Sequence, residues 1–249
     1  MNVSPELAAL LLRARSVCVL TGAGISAESG VPTFRSPDGI WAKFKPEELA
    51  NFDAFMRNPA LVWEWYHQRR KVMREVRPNP GHLALAELEN EVEDFTLVTQ
   101  NVDNLHQRAG SRKVLELHGN LERSYCVKCG TSVKDKGEEG DVVVPRCAVC
   151  GGMVRPDVVW FGEMLPQEVF EEAERAAERS ELFLTVGTSA VVHPAASLPF
   201  VARQHGAFVV EINPEETEVS SIASERLAMP AGEALPALAR IRMKRKEEK

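Results

Sequence analysis

A glycine turn placed directly after an apolar run constrains this chain more than any other segment. Val17-Cys18-Val19-Leu20 is a short β-prone stretch, and Thr21 to Arg35 continues it as TGAGISAESGVPTFR. Gly22-Ala23-Gly24-Ile25-Ser26-Ala27 fits the strand, turn and helix fingerprint of dinucleotide-binding folds, with alanine at the third small position. Small residues there let the backbone approach a pyrophosphate and aim helix-terminal amides at it. The chain is therefore expected to hold a dinucleotide. A dehydrogenase would continue as a helix into a second strand ending in an acidic residue roughly 20 positions on. Here Pro32 interrupts, followed by Phe34, Arg35, Pro37, Asp38 and Gly39, so an irregular loop is expected to hold the ligand.

Strand-like apolar runs recur at Val17 to Leu20, Phe95 to Thr99, Val114 to Leu117, Leu182 to Val186 and Ala207 to Ile212, with helical patterns between them. This alternation predicts an α/β fold, a Rossmann-like doubly wound parallel sheet with helices on both faces. Two stretches break the rhythm. Residues from about Asp38 to Pro80 carry helical patterns and clustered aromatics (Trp41, Phe44, Phe52, Phe55, Trp63, Trp65, Tyr66), and Glu122 to Arg155 is rich in glycine, cysteine and charge. Segments 38–80 and 122–155 are expected to combine into a smaller domain, leaving 1–37, 81–121 and 156–249 as the large part. A chain of 249 residues with 44% hydrophobic content can bury a sizeable core.

Thirty basic against 36 acidic side chains give a net charge of -6, which offers no electrostatic footprint for nucleic acid. No apolar stretch is long enough to span a bilayer. Glu6 precedes the short run Leu7 to Leu12, and Arg13 and Arg15 follow it, the wrong charge order for a secretory signal. The segment reads as an amphipathic first helix, and a cytoplasmic location is expected. Nothing in the sequence sets the oligomeric state.

Four of the five cysteines form Cys126-x-x-Cys129 and Cys147-x-x-Cys150, with 17 residues between the pairs. This is zinc-ligand spacing, and Gly130 and Gly151 after each pair suit the tight knuckle that brings two thiolates onto one tetrahedral ion. Disulfides are the alternative, disfavoured where no secretion signal is seen. Four thiolates leave no open coordination position, so such a zinc is structural. Cys18, in an apolar strand, reads as a small buried hydrophobe.

The glycine loop with Ser36-Pro37-Asp38-Gly39-Ile40-Trp41 after it resembles the cofactor-binding loop of the sirtuins, the Sir2 family. Thr99-Gln100-Asn101-Val102-Asp103-Asn104-Leu105-His106 resembles that family's TQN-x-D-x-LH stretch, and Glu116-Leu117-His118-Gly119 the segment with its catalytic histidine. Val158-Val159-Trp160-Phe161-Gly162-Glu163 resembles its substrate-binding strand and loop. The matches run in family order from about Val17 to Ala231. The resemblance implies a protein-lysine deacylase that consumes NAD as co-substrate, carries one structural zinc per chain and acts on acylated lysine side chains of proteins.

His118 ends an apolar run and precedes a glycine, which places it at the carboxyl edge of a strand, where open α/β sheets bind ligands. A packed strand-end histidine would read the same way. By resemblance it is the base that deprotonates a ribose hydroxyl after the acyl oxygen has attacked the carbon bearing nicotinamide, a task suited to an imidazole titrating near neutrality. The resemblance further assigns cofactor contacts to Gly22, Ala23, Gly24, Ile25, Glu28, Phe34, Arg35, Trp41 and Gln100. It gives Asn101 the ribose and a water, Asp103 the nicotinamide amide in a pocket shared with Ile25, and Gly187, Thr188, Ser189, Asn213 and Ala231 the adenosine side. Val159, Trp160, Phe161 and Gly162 are its substrate contacts.

Tyr66 and Arg69 lie three residues apart on a predicted helix and so share a face. A guanidinium beside a phenol can bind a carboxylate through charge-assisted hydrogen bonds. The pair resembles the Tyr-x-x-Arg of the sirtuin branch that removes succinyl and malonyl groups, although His67, Arg70 and Lys71 make a basic neighbourhood that could serve the same anion. Core packing of the tyrosine and a solvent-facing arginine is the ordinary alternative. Three other functions remain open at this level: a nicotinamide-dependent oxidoreductase, a protein ADP-ribosyltransferase and a non-catalytic NAD-sensing module. The broken turn-helix continuation argues against the first, and His118 together with Asn101 and Asp103 against the last.

Overall fold

The computed structural model describes residues 3–31, 49–134 and 144–244. Phe34, Arg35 and Trp41, together with Phe44 and the expected boundary at 37/38, lie outside the described residues. Helices are α1 (Pro5–Arg13), α2 (Ala23–Ala27), α3 (Phe52–Arg57), α4 (Pro59–Glu75), α5 (Pro80–Glu91), α6 (Leu105–Ala109), α7 (Gln167–Glu178), α8 (Leu198–Gln204) and α9 (Ala231–Met243). Strands are β1 (Ser16–Thr21), β2 (Asp94–Thr99), β3 (Val114–Glu116), β4 (Gly119–Cys126), β5 (Val154–Val158), β6 (Leu182–Val186), β7 (Phe208–Ile212) and β8 (Glu225–Leu227).

Six strands form one sheet in the order β3-β2-β1-β6-β7-β8 with every pairing parallel. Strand order reverses between β1 and β6, and that switch point opens a crevice at the carboxyl edge. The sheet is apolar on both faces, as a parallel sheet covered by crossover helices must be. Val17, Val19, Leu97, Leu184 and Val210 face one core with residues of α1, α5 and α9, whereas Cys18, Leu20, Val98, Phe183 and Val209 face another with α7 and α8. Cys18 is thus the buried hydrophobe expected, its thiol pushed up to about 12 by burial.

The helix starts follow local chemistry. Ser4, Asn51, Asn58 and Asn79 accept a backbone N–H in the first turns of α1, α3, α4 and α5, and proline follows Ser4, Asn58 and Asn79 at the first helical position. At the far end of the chain, buried Arg242 donates to Leu11 and Ala14 carbonyls at 2.9 and 3.0 Å and to the Glu91 carbonyl at 2.6 Å. One guanidinium therefore satisfies the carboxyl ends of α1 and α5 and anchors α9 to both.

A third apolar cluster joins Leu49, Phe55, Trp63, Trp65 and Tyr66 to Leu121, Cys126, Cys147, Val154 and Trp160. It packs α3 and α4 against the antiparallel pair β4–β5 and the cysteine turns. No described helix is long and apolar enough to cross a membrane.

Candidate active site

The crevice is built by close contact between two turns. Gly22 N–H donates to the Val186 carbonyl at 3.0 Å and Gly24 N–H to the Gly187 carbonyl at 2.7 Å. A Cβ at Gly24 would lie 2.6 Å from Gly187 Cα, and Gly187 itself has a φ of +59°. Side chains at either position would force apart the turns after β1 and β6, so the two turns close on each other at the crevice only with glycine.

The turn after β2 lies beside them. Asn101 donates to the Gly22 carbonyl at 3.0 Å and to Ser26 Oγ at 3.2 Å, and Ser26 Oγ donates to Asp103 at 2.6 Å. Asp103 also accepts Leu105 N–H at 3.0 Å, and burial pushes its carboxyl above the usual range. Ile25 is buried next to Ser26. Gln100 donates to Thr188 Oγ1 at 2.9 Å, and Asn213, past the end of β7, donates to the Thr188 carbonyl at 3.1 Å. Thr188 thus ties the turns after β2, β6 and β7 together, with half-buried Ser189 following it. Ala231 is buried at the start of α9. Glu28 is exposed, and its carboxylate accepts Gly232 N–H at 2.8 Å, joining the end of α2 to the first turn of α9; Ala23 begins α2.

His118 stands between β3 and β4, with Nδ1 2.8 Å from the Gln100 carbonyl. A carbonyl only accepts, so Nδ1 carries the proton and the lone pair of the neutral ring sits on Nε2. Burial lowers the imidazole below its ordinary value, with the Gln100 carbonyl working in the opposite direction. The neutral form, the one able to take a proton, is favoured at physiological pH.

On the other side, Val159 N–H donates to the His118 carbonyl at 2.9 Å and Phe161 N–H to the Ala50 carbonyl at 2.9 Å. The segment Val158 to Glu163 is thereby strung between the histidine and the helical region, with Gly162 at φ +86° turning the chain. Trp160 is buried while Phe161 is 54% exposed. Tyr66 Oη accepts Trp160 Nε1–H at 2.7 Å. Arg69 places its guanidinium carbon 4.7 Å from the Trp65 ring centroid and 5.8 Å from that of Tyr66. Its Nε is buried with no hydrogen-bond partner among the described residues, and burial lowers its pKa. Arg70, which sequence alone groups with it, points elsewhere: it donates to the Leu121 and Arg123 carbonyls and to Ser124 Oγ, binding α4 to β4. His67 packs on Trp63, with ring centroids 5.2 Å apart.

Cys126, Cys129, Cys147 and Cys150 bring their four sulfurs within 4.8 Å of one another. Separations of 3.4, 3.5 and 3.7 Å are far beyond a disulfide bond, and they suit the edges of a tetrahedron with metal–sulfur bonds of about 2.3 Å. Gly130 and Gly151, both at φ +70°, close matching knuckles by donating to the Cys126 and Cys147 carbonyls at 2.9 Å. The donor set fits a closed zinc site.

Several residues that complete the site are assigned no role by the sequence, although Thr21, Thr99 and His106 lie within its motifs. His82 Nε2 lies 3.4 Å from Ser26 Oγ, and His106 Nε2 lies 2.9 Å from Thr21 Oγ1, which donates to Thr99 Oγ1 at 2.8 Å. Asn79 donates to the Ile25 carbonyl at 2.7 Å. The two imidazoles are packed with centroids 4.9 Å apart, and burial pushes His82 down to about 4 and His106 to about 3 from 6.5. Below pH 6.5 the unfolded chain takes up protons that the folded chain refuses, so this contribution to stability is complete above pH 6.5 and is lost as pH falls toward the folded values. Between pH 7 and 5 the loss is about 2 kcal/mol per ring. The melting temperature is expected to drop over that range, and His106→Gln, which cannot titrate, to make the drop smaller. Identical drops in the two proteins would assign the pH sensitivity to other groups.

A doubly wound sheet with a glycine turn at its switch point, a base at the carboxyl edge and a four-thiolate module beside it defines a Rossmann-like protein equipped for chemistry on a dinucleotide. Residues 22–194 match the Sir2 family model, and the chain belongs to that family. It is 55% identical over 234 residues to the NAD-dependent protein deacylase 2 of Pyrobaculum aerophilum, covering 94% of this chain and 93% of the relative. Among solved structures it is similar to a Sir2 homologue in complex with NAD, at a TM-score of 0.92 and 45% identity over 98% of this chain and 96% of the other. It is also similar to a Sir2 mutant with a deacetylated p53 peptide and 3'-O-acetyl ADP ribose, at a TM-score of 0.81 and 38% identity over 96% of each chain.

Proposed function

We propose that this protein is an NAD-dependent protein-lysine deacylase that removes acetyl and also succinyl or malonyl groups, giving nicotinamide, O-acyl-ADP-ribose and free lysine. The observation that carries this reading is His118, whose protonated Nδ1 is fixed on the Gln100 carbonyl so that Nε2 is basic at the edge of the glycine crevice. NAD supplies a ribose carbon that becomes electrophilic as nicotinamide departs. Gly22, Gly24 and Gly187 leave room for the phosphate and adenosine side, and Thr188, whose hydroxyl accepts from Gln100, has its own proton to donate there. Asn101, held by Gly22 and Ser26, faces the ribose; Asp103, with Ile25, receives the carboxamide. His118 takes the proton of a ribose hydroxyl. Val159 to Gly162 hold the acyl-lysine, and the four cysteines hold a zinc that supports the helices and strands packed around Tyr66. We assign segments 38–80 and 122–155 to that smaller domain, and a cytoplasmic location fits the reading.

Mass spectrometry of acetyl-, succinyl- and malonyl-lysine peptides incubated with and without NAD tests the function. Deacylation without NAD, or none with it, would refute the reading; labelling of protein with ADP-ribose in place of deacylation would favour transferase activity.

The dicarboxylic reading rests on Arg69, whose buried Nε has no hydrogen-bond partner among the described residues while its neighbour Arg70 is engaged on β4. A hydrogen bond to a charged group contributes about 1.5–3 kcal/mol. Arg69→Met is therefore expected to lower the ratio of desuccinylation to deacetylation, compared as kcat/KM on matched peptides, by roughly 10–150-fold. Equal losses on both peptides would make Arg69 a purely structural residue.

A further inference from the structure

The Tyr66 hydroxyl can in principle donate, accept or do both. An indole N–H can only donate, and Trp160 Nε1 lies 2.7 Å from Tyr66 Oη. At that contact the phenol is the acceptor, so its single proton must point elsewhere. Trp160 has no freedom to release it. The ring is buried, with the Arg155 guanidinium carbon 3.4 Å from its ring centroid and the Phe55 centroid at 5.4 Å. Arg155 is itself buried and fixed: it forms a two-point ion pair with Glu163 at 2.5 and 2.9 Å and donates to the Val158 carbonyl at 2.8 Å. Glu163 completes the clamp by accepting Trp160 N–H at 2.8 Å. Turning the indole away would leave its N–H buried and unpaired.

We infer that Trp160 is a positioning residue that sets the polarity of the Tyr66 hydroxyl, making it a donor to the acyl chain and so favouring chains that end in a carboxylate. Arg155 and Glu163 act one step further out by holding the indole. A succinyl or malonyl carboxylate offers an acceptor for that phenol proton and for Arg69, whereas an acetyl methyl offers none. This inference rests on the dicarboxylic reading given above.

The test is kcat/KM for succinyl- and acetyl-lysine peptides with NAD in wild type, Trp160→Phe, Tyr66→Phe and the double variant. Trp160→Phe keeps an aromatic ring between Arg155 and Phe55 and removes the N–H. It is expected to lower the succinyl-to-acetyl ratio about 2–10-fold, the worth of one ordinary hydrogen bond. In the Tyr66→Phe background the same change should leave the ratio where Tyr66→Phe has put it, since residues acting through one another are not additive. Glu163→Gln, which breaks the ion pair with Arg155 and weakens the acceptor of the Trp160 N–H while keeping the indole and the phenol, should shift the ratio in the same direction and also lose its effect in Tyr66→Phe. An unchanged ratio in Trp160→Phe and Glu163→Gln, or equal falls with and without the Tyr66 hydroxyl, would overturn the inference and leave the dicarboxylic reading standing. A wild type that removes acetyl but neither succinyl nor malonyl groups would overturn both.

Discussion

His118→Ala is expected to reduce NAD-dependent deacylation by about 10²–10⁴-fold, the usual cost of deleting a general base, while the protein folds as before. The imidazole makes one hydrogen bond to the Gln100 carbonyl and stands at the open carboxyl edge, so its removal leaves no buried group stranded apart from a carbonyl beside the crevice. NAD affinity is expected to change far less than turnover, because the glycine turns and Thr188 are built without His118. The informative measurements are single-turnover rates and NAD binding by calorimetry, each set against the wild-type melting curve. A variant that turns over at the wild-type rate would remove His118 from the chemistry. One that has lost NAD binding along with activity would make it a cofactor residue.

Zinc removal is expected to have the other large effect. Metal analysis should find one zinc per chain, and Cys126→Ala should abolish it. Structural four-ligand sites draw on the order of 10 kcal/mol of apparent binding energy, which exceeds what a small apolar cluster can replace. Cys126 and Cys147 lie in the same cluster as Trp63, Tyr66 and Trp160. Losing the metal is therefore expected to loosen the acyl-lysine side of the site while the six-stranded sheet, whose two cores contain none of the four paired cysteines, persists. Limited proteolysis should cut first within 122–155. A zinc-free protein with full activity and an unchanged melting transition would end the structural role.

Features that depend on a few neighbouring residues are legible in the sequence alone. Val17 to Leu20 followed by Gly22-Ala23-Gly24 announces a strand and a turn because an apolar run and Cβ-free positions act within one turn of chain. Two CxxC pairs with glycines announce a metal knuckle for the same local reason, and the sulfur positions agree. His118 at a strand end was visible because a strand's carboxyl edge follows from its direction. Tyr66 and Arg69 share a face of a helix, but residue type alone leaves His67, Arg70 and Lys71 as neighbouring cations able to serve the same anion.

Tertiary packing decided among these cations. The guanidinium of Arg70 is drawn onto β4, more than 50 residues away in sequence, and Arg69 is left facing Trp65 and Tyr66. Ser26 gains Asp103, Asn101 and His82 only when the turns after β1 and β2 and the start of α5 are stacked over one crevice. Trp160 meets Tyr66 across 94 positions, and Arg155 binds Glu163 only because the intervening loop folds back on itself. The sequence by itself determined five of the sheet's six strands, missing the short edge strand β8, together with the glycine turn, the thiolate set and the candidate base, all of which follow from residue type and short spacing. Which polar atoms are buried, and therefore which must find a partner, was decided by the fold, because the penalty for burying an unpaired donor exists only once distant segments exclude water from it.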